Sequence, residues 1–348
     1  MKISTIIILL FIKGAACLFA QDQWQLVHEE LVVSNPSFKE CHASTIVELS
    51  KGNMMAAWFG GTGEGVKDVC IWSAVSKNGG WGKPVVIATG IVNDTLRYAC
   101  WNPVLFIAAN KKLLLFYKVG PSPQLWWGMM VTSADEGKTW SEPVRLPQGI
   151  LGPIKNKPLL LEDGTILAPS SEETKNKWSA HIEKSKDNGM TWQRIALDTT
   201  GFDVIQPSIL NYGHGRLQIL CRSKQGAVVE SWSEDNGTTW TKLSKTALLN
   251  PNSGTDAVTL KNGEQLIVYN PDVPGKDWNN RRAKLKVAVS KDGTSWTDVM
   301  TLENGTNEEF SYPAVIQSKD LEVHITYTYN RKNIKYVVLQ NKKTAIVK

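Results

Sequence analysis

The chain has 348 residues, 42% hydrophobic and 21% charged, enough to bury one large core or two ordinary ones and too apolar for a disordered chain. Its 39 Lys+Arg against 33 Asp+Glu give a net charge of +6, but the basic residues are scattered, so no nucleic-acid partner is expected. Fourteen Trp beside 27 Gly and only 8 Phe point to tryptophan placed by a repeating pattern.

Residues 1–20 read as a secretory signal peptide: Met1-Lys2 is a short positive start, Ile6 to Ile12 an apolar run too short to span a bilayer, and Leu18-Phe19-Ala20 a small-residue ending before Gln21. Export to the periplasm or the medium follows, with no membrane span. Gly14-Ala15-Ala16-Cys17 resembles a lipoprotein cleavage box, although a large apolar residue would be expected at Gly14. Soluble export is therefore preferred over a lipid anchor through Cys17. Cys41, Cys70, Cys100 and Cys221 remain after cleavage, each in an apolar run and irregularly spaced, and read as buried free thiols rather than a disulfide framework. His28, His181, His214 and His324 lack the spacing of metal ligands, so neither a catalytic metal nor a cofactor is expected.

In chain order, Trp24 to Val33 is a β-prone run standing alone. Six segments follow, each an apolar run, a turn and a second apolar run, starting at Ser44, Asn102, Asn156, Gln206, Gly254 and Tyr312. Turn signals such as Asp163-Gly164 and Asn262-Gly263 mark them as β-hairpins. A second motif interleaves with these: Ser133 to Trp140, Ser185 to Trp192 and Ser233 to Trp240 share S-x-D-x-G-x-T-W. Ser76 to Trp81 and Ser290 to Trp296 are degenerate copies, and the five starts lie 57, 52, 48 and 57 residues apart. Ser and Asp side chains can close a tight turn on its own backbone, Gly supplies a positive φ, and the Trp packs into the adjoining layer. Six hairpins at about 54 residues each use up residues 21–348 and leave no room for a second domain. The predicted fold is all-β, a six-bladed β-propeller of four-stranded antiparallel sheets. Trp24 to Val33 would be the outer strand of the blade that ends with Lys335 to Leu339, closing the ring. No long amphipathic helix is expected.

S-x-D-x-G-x-T-W boxes in phase with hairpins resemble the Asp-box, or BNR, repeats of the sialidase superfamily, and of bacterial BNR-like proteins related to it. The resemblance covers residues 24 to 340. It implies a site over the central channel, where innermost strands begin and second strands end. The entries are His42, Trp101, Asn102, Lys155 to Lys157, Gln206, Asn252 to Asp256 and Tyr312. The exits include Trp58, Lys118, Glu172, Arg222, Asn270 and Arg331. Sialidases clamp a carboxylate with three Arg, use a Tyr nucleophile activated by a Glu, and an Asp as acid/base. By that pattern Tyr312 matches the nucleophile, Arg222 one clamp arginine, Arg281 or Arg282 a further one, and Asp68 stands near the acid position. His42 stands where the first clamp arginine is expected, and no carboxylate occurs around Gln206, where the activating Glu belongs.

A neutral Tyr without a Glu is a poor nucleophile at neutral pH. His42 and Tyr312 over a cationic floor suit abstraction of the proton α to a uronate carboxylate, followed by loss of the C4 substituent. The expected function is thus an exported, monomeric carbohydrate-active enzyme, a lyase or dehydratase, acting at the non-reducing end of anionic oligosaccharides. His42 and Tyr312 would be catalytic. Arg222, Lys155, Lys157, Asn102, Gln206, Asp256, Trp101 and Arg282 would bind substrate. The alternatives are an exo-sialidase or other exo-glycosidase and a non-catalytic glycan-binding propeller. A carboxylate within reach of Tyr312 would favour hydrolysis, and a His or Lys elimination. Among the tryptophans, Trp58, Trp101, Trp126 and Trp127 are candidates for the channel mouth.

Overall fold

A computed structural model describes residues 23–77 and 79–345. The expected export segment and Cys17 lie outside the described residues. Six antiparallel sheets follow one another along the chain as the blades of a β-propeller. Blade 1 runs from Glu40–Glu48, its innermost strand, through Met54–Gly61 to Cys70–Lys77, against which both Gly80–Trp81 and Val85–Ala88 pair, making it five-stranded. The innermost strands of blades 2 to 6 are Ala99–Ile107, Leu159–Leu160, Val204–Asn211, Asp256–Thr259 and Phe310–Gln317, and each of these blades has four strands. A small hairpin, Ile91–Asn93 with Leu96–Arg97, projects between blades 1 and 2. Among the described residues no helix is long and apolar enough to cross a membrane, and the four cysteines are free and buried.

The two inner strands of a blade are covered on both faces, so they read as continuous apolar runs: every residue of Met54–Gly61 and Leu113–Gly120 is buried. Third strands such as Lys284–Ser290 alternate instead, because one face meets solvent. The ring closes where the sequence indicated. Trp24–Leu31 lies antiparallel to Asn333–Asn341, with Trp24 opposite Asn341 and Leu31 opposite Lys335, so the first strand of the chain completes the last blade.

Each full box folds as its chemistry dictates. Ser133 Oγ donates to Asp135 Oδ1 and accepts the Gly137 N–H, both at 2.8 Å, while Asp135 accepts the Thr139 N–H at 2.9 Å and the Thr139 hydroxyl at 2.6 Å. The same bonds recur at Ser185-Asp187-Thr191 and Ser233-Asp235-Thr239. Position 137 favours glycine: its φ is +82°, and a Cβ would also fall 2.6 Å from the terminal methyl of Met55 in the preceding blade, which would have to move. The box tryptophans are wedges between blades. Trp140 packs in the apolar cluster joining blades 1 and 2, Trp192 in that of blades 2 and 3, Trp240 in 3 and 4, Trp296 in 4 and 5, and Trp81 in 6 and 1. Blade 6 has no box, since its third and fourth strands come from opposite ends of the chain. Trp24 fills the equivalent cluster between blades 5 and 6.

Two outcomes follow from this packing. Trp24→Ala is expected to cost about 3–5 kcal/mol in denaturant unfolding; a loss below about 1 kcal/mol would contradict the latch. The Thr139 hydroxyl and N–H, with Ser133, hold the Asp135 carboxyl down at about 2, and Thr239 does the same for Asp235. Because these values lie below those of the unfolded chain, the stabilisation is complete above about pH 4 and is lost as pH falls toward 2. Replacing Asp135, Asp187 and Asp235 with Asn should flatten the acid limb of the stability profile.

Candidate active site

The innermost strands of blades 1, 2, 4 and 6 each break register near their start: between His42 and Thr45, between Trp101 and Val104, between Ile205 and Ser208, and between Ser311 and Ala314. At these bulges Ala43, Asn102, Gln206 and Tyr312 take positive φ values of 55°, 37°, 55° and 53°. Non-glycine residues avoid this region, and the last three precede Pro103, Pro207 and Pro313, which disfavours helical backbone further. Such strain costs on the order of 1–3 kcal/mol per residue and collects at functional sites. Its effect here is to bring His42, Asn102, Gln206 and Tyr312 into one pocket of about 250 Å³.

Tyr312 is the centre of that pocket. Its hydroxyl oxygen accepts from Arg222 Nη1 at 2.5 Å and lies 3.5 Å from Gln206 Nε2. The His42 ring packs on its face, centroids 4.1 Å apart. Around its ring stand Arg222 and Arg282, with guanidinium carbons 5.7 and 6.0 Å from the centroid, and Lys155 Nζ at 5.8 Å.

The three pocket arginines come from blades 4, 5 and 6, and their partners differ. Arg331 donates from Nε to Glu309 at 2.7 Å and from Nη1 to Glu64 at 2.5 Å. Burial works against its charge, but these two carboxylates prevail and its pKa is raised. Arg282 pairs with the other oxygen of Glu309 at 3.3 Å and donates to the Asn252 carbonyl at 3.1 Å. Burial, with Arg222 and Arg331 nearby, lowers its pKa. Arg222 is only 8% exposed yet has no ion pair with any described residue. Its Nε donates to the Asn252 side chain at 2.8 Å, and its guanidinium lies over Trp178 at 5.4 Å. Burial and then Arg331, Arg282, Arg222 and Lys155 push the His42 pKa well below the ordinary value, so the imidazole is neutral, with Nδ1 2.9 Å from the Thr328 hydroxyl.

Of the residues read from sequence, His42, Trp101, Asn102, Gln206, Arg222, Arg282 and Tyr312 meet in the pocket, together with Trp126. Others are placed elsewhere. Lys155, Lys157 and Asp256, expected to bind substrate, do not line it and instead tie blades together. Lys155 Nζ bonds Asn156, the Thr255 carbonyl and the Pro313 carbonyl, and burial lowers its pKa to about 7. Asp256 accepts from Lys157, Ser208 and the Val315 N–H, joining blades 3, 4, 5 and 6. The channel interior offers backbone carbonyls that need donors, and Lys155 supplies them. Arg281 pairs with Asp277 in solvent, leaving Arg282 as the pocket arginine. Asp68 accepts from Thr62 within its own loop, and Glu64 of that loop reaches the pocket instead. Trp58 is fully buried between blades 1 and 6, and Trp127 packs against Tyr98 and Arg145.

Sequence reasoning placed Arg331 at a hairpin exit but gave it no role, and it missed Glu64, Glu173, Trp178 and Glu309. The one available signal was the recurring X-Pro at the strand entries, Asn102-Pro103, Gln206-Pro207 and Tyr312-Pro313. The loop carboxylates leave no periodic trace.

Six blades, Asp boxes and a pocket lined by the starts of innermost strands define a six-bladed β-propeller built of BNR-type repeats. A family model described as a BNR repeat-like domain matches residues 52–325, and the chain belongs to that family. A search of curated proteins gave no match. Among solved structures, the chain is similar to a protein of unknown function from Dyadobacter fermentans, with 16% identity and a TM-score of 0.73 over 92% of this chain and 99% of that one. It is also similar to the NanB sialidase of Streptococcus pneumoniae (12%, 0.67, 91% and 70%) and to the intramolecular trans-sialidase of Ruminococcus gnavus (14%, 0.68, 90% and 97%). At these identities the likeness is one of fold.

The neutral His42 has a measurable consequence. Its folded pKa lies below that of the unfolded chain, so protonation favours unfolding, and the cost grows as pH falls below about 6.5. Ring-proton NMR should show no His42 midpoint near 6.5; a midpoint at or above that value would contradict the assignment.

Proposed function

We propose that this protein is a carbohydrate-active enzyme that holds the carboxylate of a terminal or penultimate sugar acid on Arg222, Arg282 and Arg331. The observation that carries this is Arg222: a guanidinium buried in a pocket wall, oriented by Asn252, Trp178 and Tyr312, and without an acidic partner among the described residues. A buried cation needs an anion. Guanidinium and carboxylate match in a planar, two-bond geometry. Trp101, Trp126 and Trp178 supply apolar walls suited to sugar faces, and the volume suits one sugar residue rather than a polymer.

Elimination is the reaction this site suits best. The Tyr312 hydroxyl meets an amide and a guanidinium, not a carboxylate, so activation of a tyrosine nucleophile by a Glu has no agent here. Abstraction of C5–H from a uronate builds negative charge on the clamped carboxylate, where the arginines would stabilise it. His42 would take that proton. Its basicity is held down by burial first and then by four cations, and a bound carboxylate would offset the charge of the cations, raising the basicity by that part. Tyr312 holds the imidazole in place by ring packing. Hydrolysis of a terminal acidic sugar is the second reading, favoured by the carboxyl of Glu173, whose pKa burial raises.

The test is one assay of sialosides against oligosaccharides with a penultimate uronic acid, read by released sugar and by the ultraviolet absorbance of an unsaturated uronate. Absorbance with the uronates is expected; released sugar without it would move the assignment to hydrolysis, and turnover of sialosides alone would overturn the uronate reading. Arg222→Met should lower kcat/KM by about 10²-fold or more, and unchanged kinetics would remove the clamp.

A further inference from the structure

The two carboxylates that line the pocket, Glu64 and Glu173, and Glu309 behind its arginines are not equivalent. Glu309 is taken up by Arg331, Arg282 and Ser311, and Glu64 by Arg331. Glu173 ends the second strand of blade 3, opposite Trp178, and lines the same pocket with neither a hydrogen bond nor an ion pair to any described residue. A carboxyl that is mostly buried and left without an internal partner is not there to brace the fold.

We propose that Glu173 is the general acid of this site, giving its proton to the oxygen that leaves C4 of the bound uronate. This rests on the elimination reading above. His42 takes the C5 proton, the C5–H electron pair becomes the C4–C5 double bond, and the C4–O bond breaks. The Glu173 proton passes to the departing oxygen, which leaves as an alcohol. Protonated His42 and ionised Glu173 then exchange one proton with solvent, restoring both groups with no other reagent. The charged groups that face Glu173 fit the role. Burial raises its pKa, Glu64 on the blade 1 loop adds to this, and Arg222 and Lys224 on blade 4 oppose it. Those two cations would meet the carboxylate formed once the proton has gone. Trp178, opposite Glu173 on the neighbouring strand, carries both of them on its ring.

Two probes separate this role from a structural one: a methyl glucuronoside bearing a sugar at O4, and the same uronoside bearing a 4-nitrophenyl ether there. With the sugar probe, Glu173→Gln should lose about 10²–10⁴-fold in kcat and lose the alkaline limb of the pH profile. With the nitrophenyl ether, whose leaving group departs without a proton, the loss should stay under about 10-fold. Glucuronate binding by calorimetry should stay within a few-fold of wild type. Equal losses on both probes, or no loss on either, would overturn the assignment of Glu173 alone. A wild-type enzyme inactive on both probes would overturn the elimination reading, and the assignment with it. If Glu173→Gln does not fold, the wild-type profiles decide: an alkaline limb with the sugar probe that vanishes with the nitrophenyl ether supports the acid, and one shared by both probes refutes it.

Discussion

Three guanidinium groups in one half-dry pocket repel each other, and the structure is arranged to hold them there. Glu309 does most of this, one oxygen on Arg331 and the other on Arg282, with Ser311 fixing its orientation. Pairing a buried charge in this way is what makes its burial tolerable, and removing the bridging carboxylate would leave Arg282 uncompensated and Arg331 with Glu64 alone. Arg222 is left over. Its position is maintained by an amide, a stacked indole and a phenol rather than by charge, so it keeps its full attraction for an external anion.

Because the three arginines come from different blades, the site is only as precise as the blade interfaces. Two devices fix these. At the periphery the box tryptophans wedge five interfaces, and Trp24 supplies the sixth from the other end of the chain. On the axis, Lys155 and Asp256 bind groups from blades 3 to 6, one with backbone carbonyls and the other with donors. A residue that looks like a ligand in sequence can thus be a rivet in structure, and its internal partners, not its burial, decide which.

The periodic features were legible. Boxes, hairpin turns and the lone run at Trp24 gave the blade number and the closing strand, because each reports a local conformation that tertiary packing does not alter. The entries His42, Asn102, Gln206 and Tyr312 were also readable, since a strand start over the channel has one direction to face. Glu64, Glu173 and Trp178 were not. They lie in or beside loops whose paths depend on neighbouring blades, and no spacing in the chain records that. Arg331 is an intermediate case: its hairpin position was evident, whereas its role depends on Glu309 and Glu64 meeting it from the same blade and from blade 1. His42 stands in blade 1 where the sequence resemblance implied an arginine, and Arg331 of blade 6 is the third guanidinium in the pocket.

The role proposed for this pocket is that of a carboxylate clamp beside a base. A crystal structure of the protein soaked with glucuronate tests it most directly. The sugar carboxylate should lie about 2.7–2.9 Å from the Arg222 guanidinium, with Arg282 and Arg331 around it and the ring between His42 and Trp178. Glucuronate bound with its carboxylate turned to solvent, or no density in the pocket at saturating sugar, would contradict it.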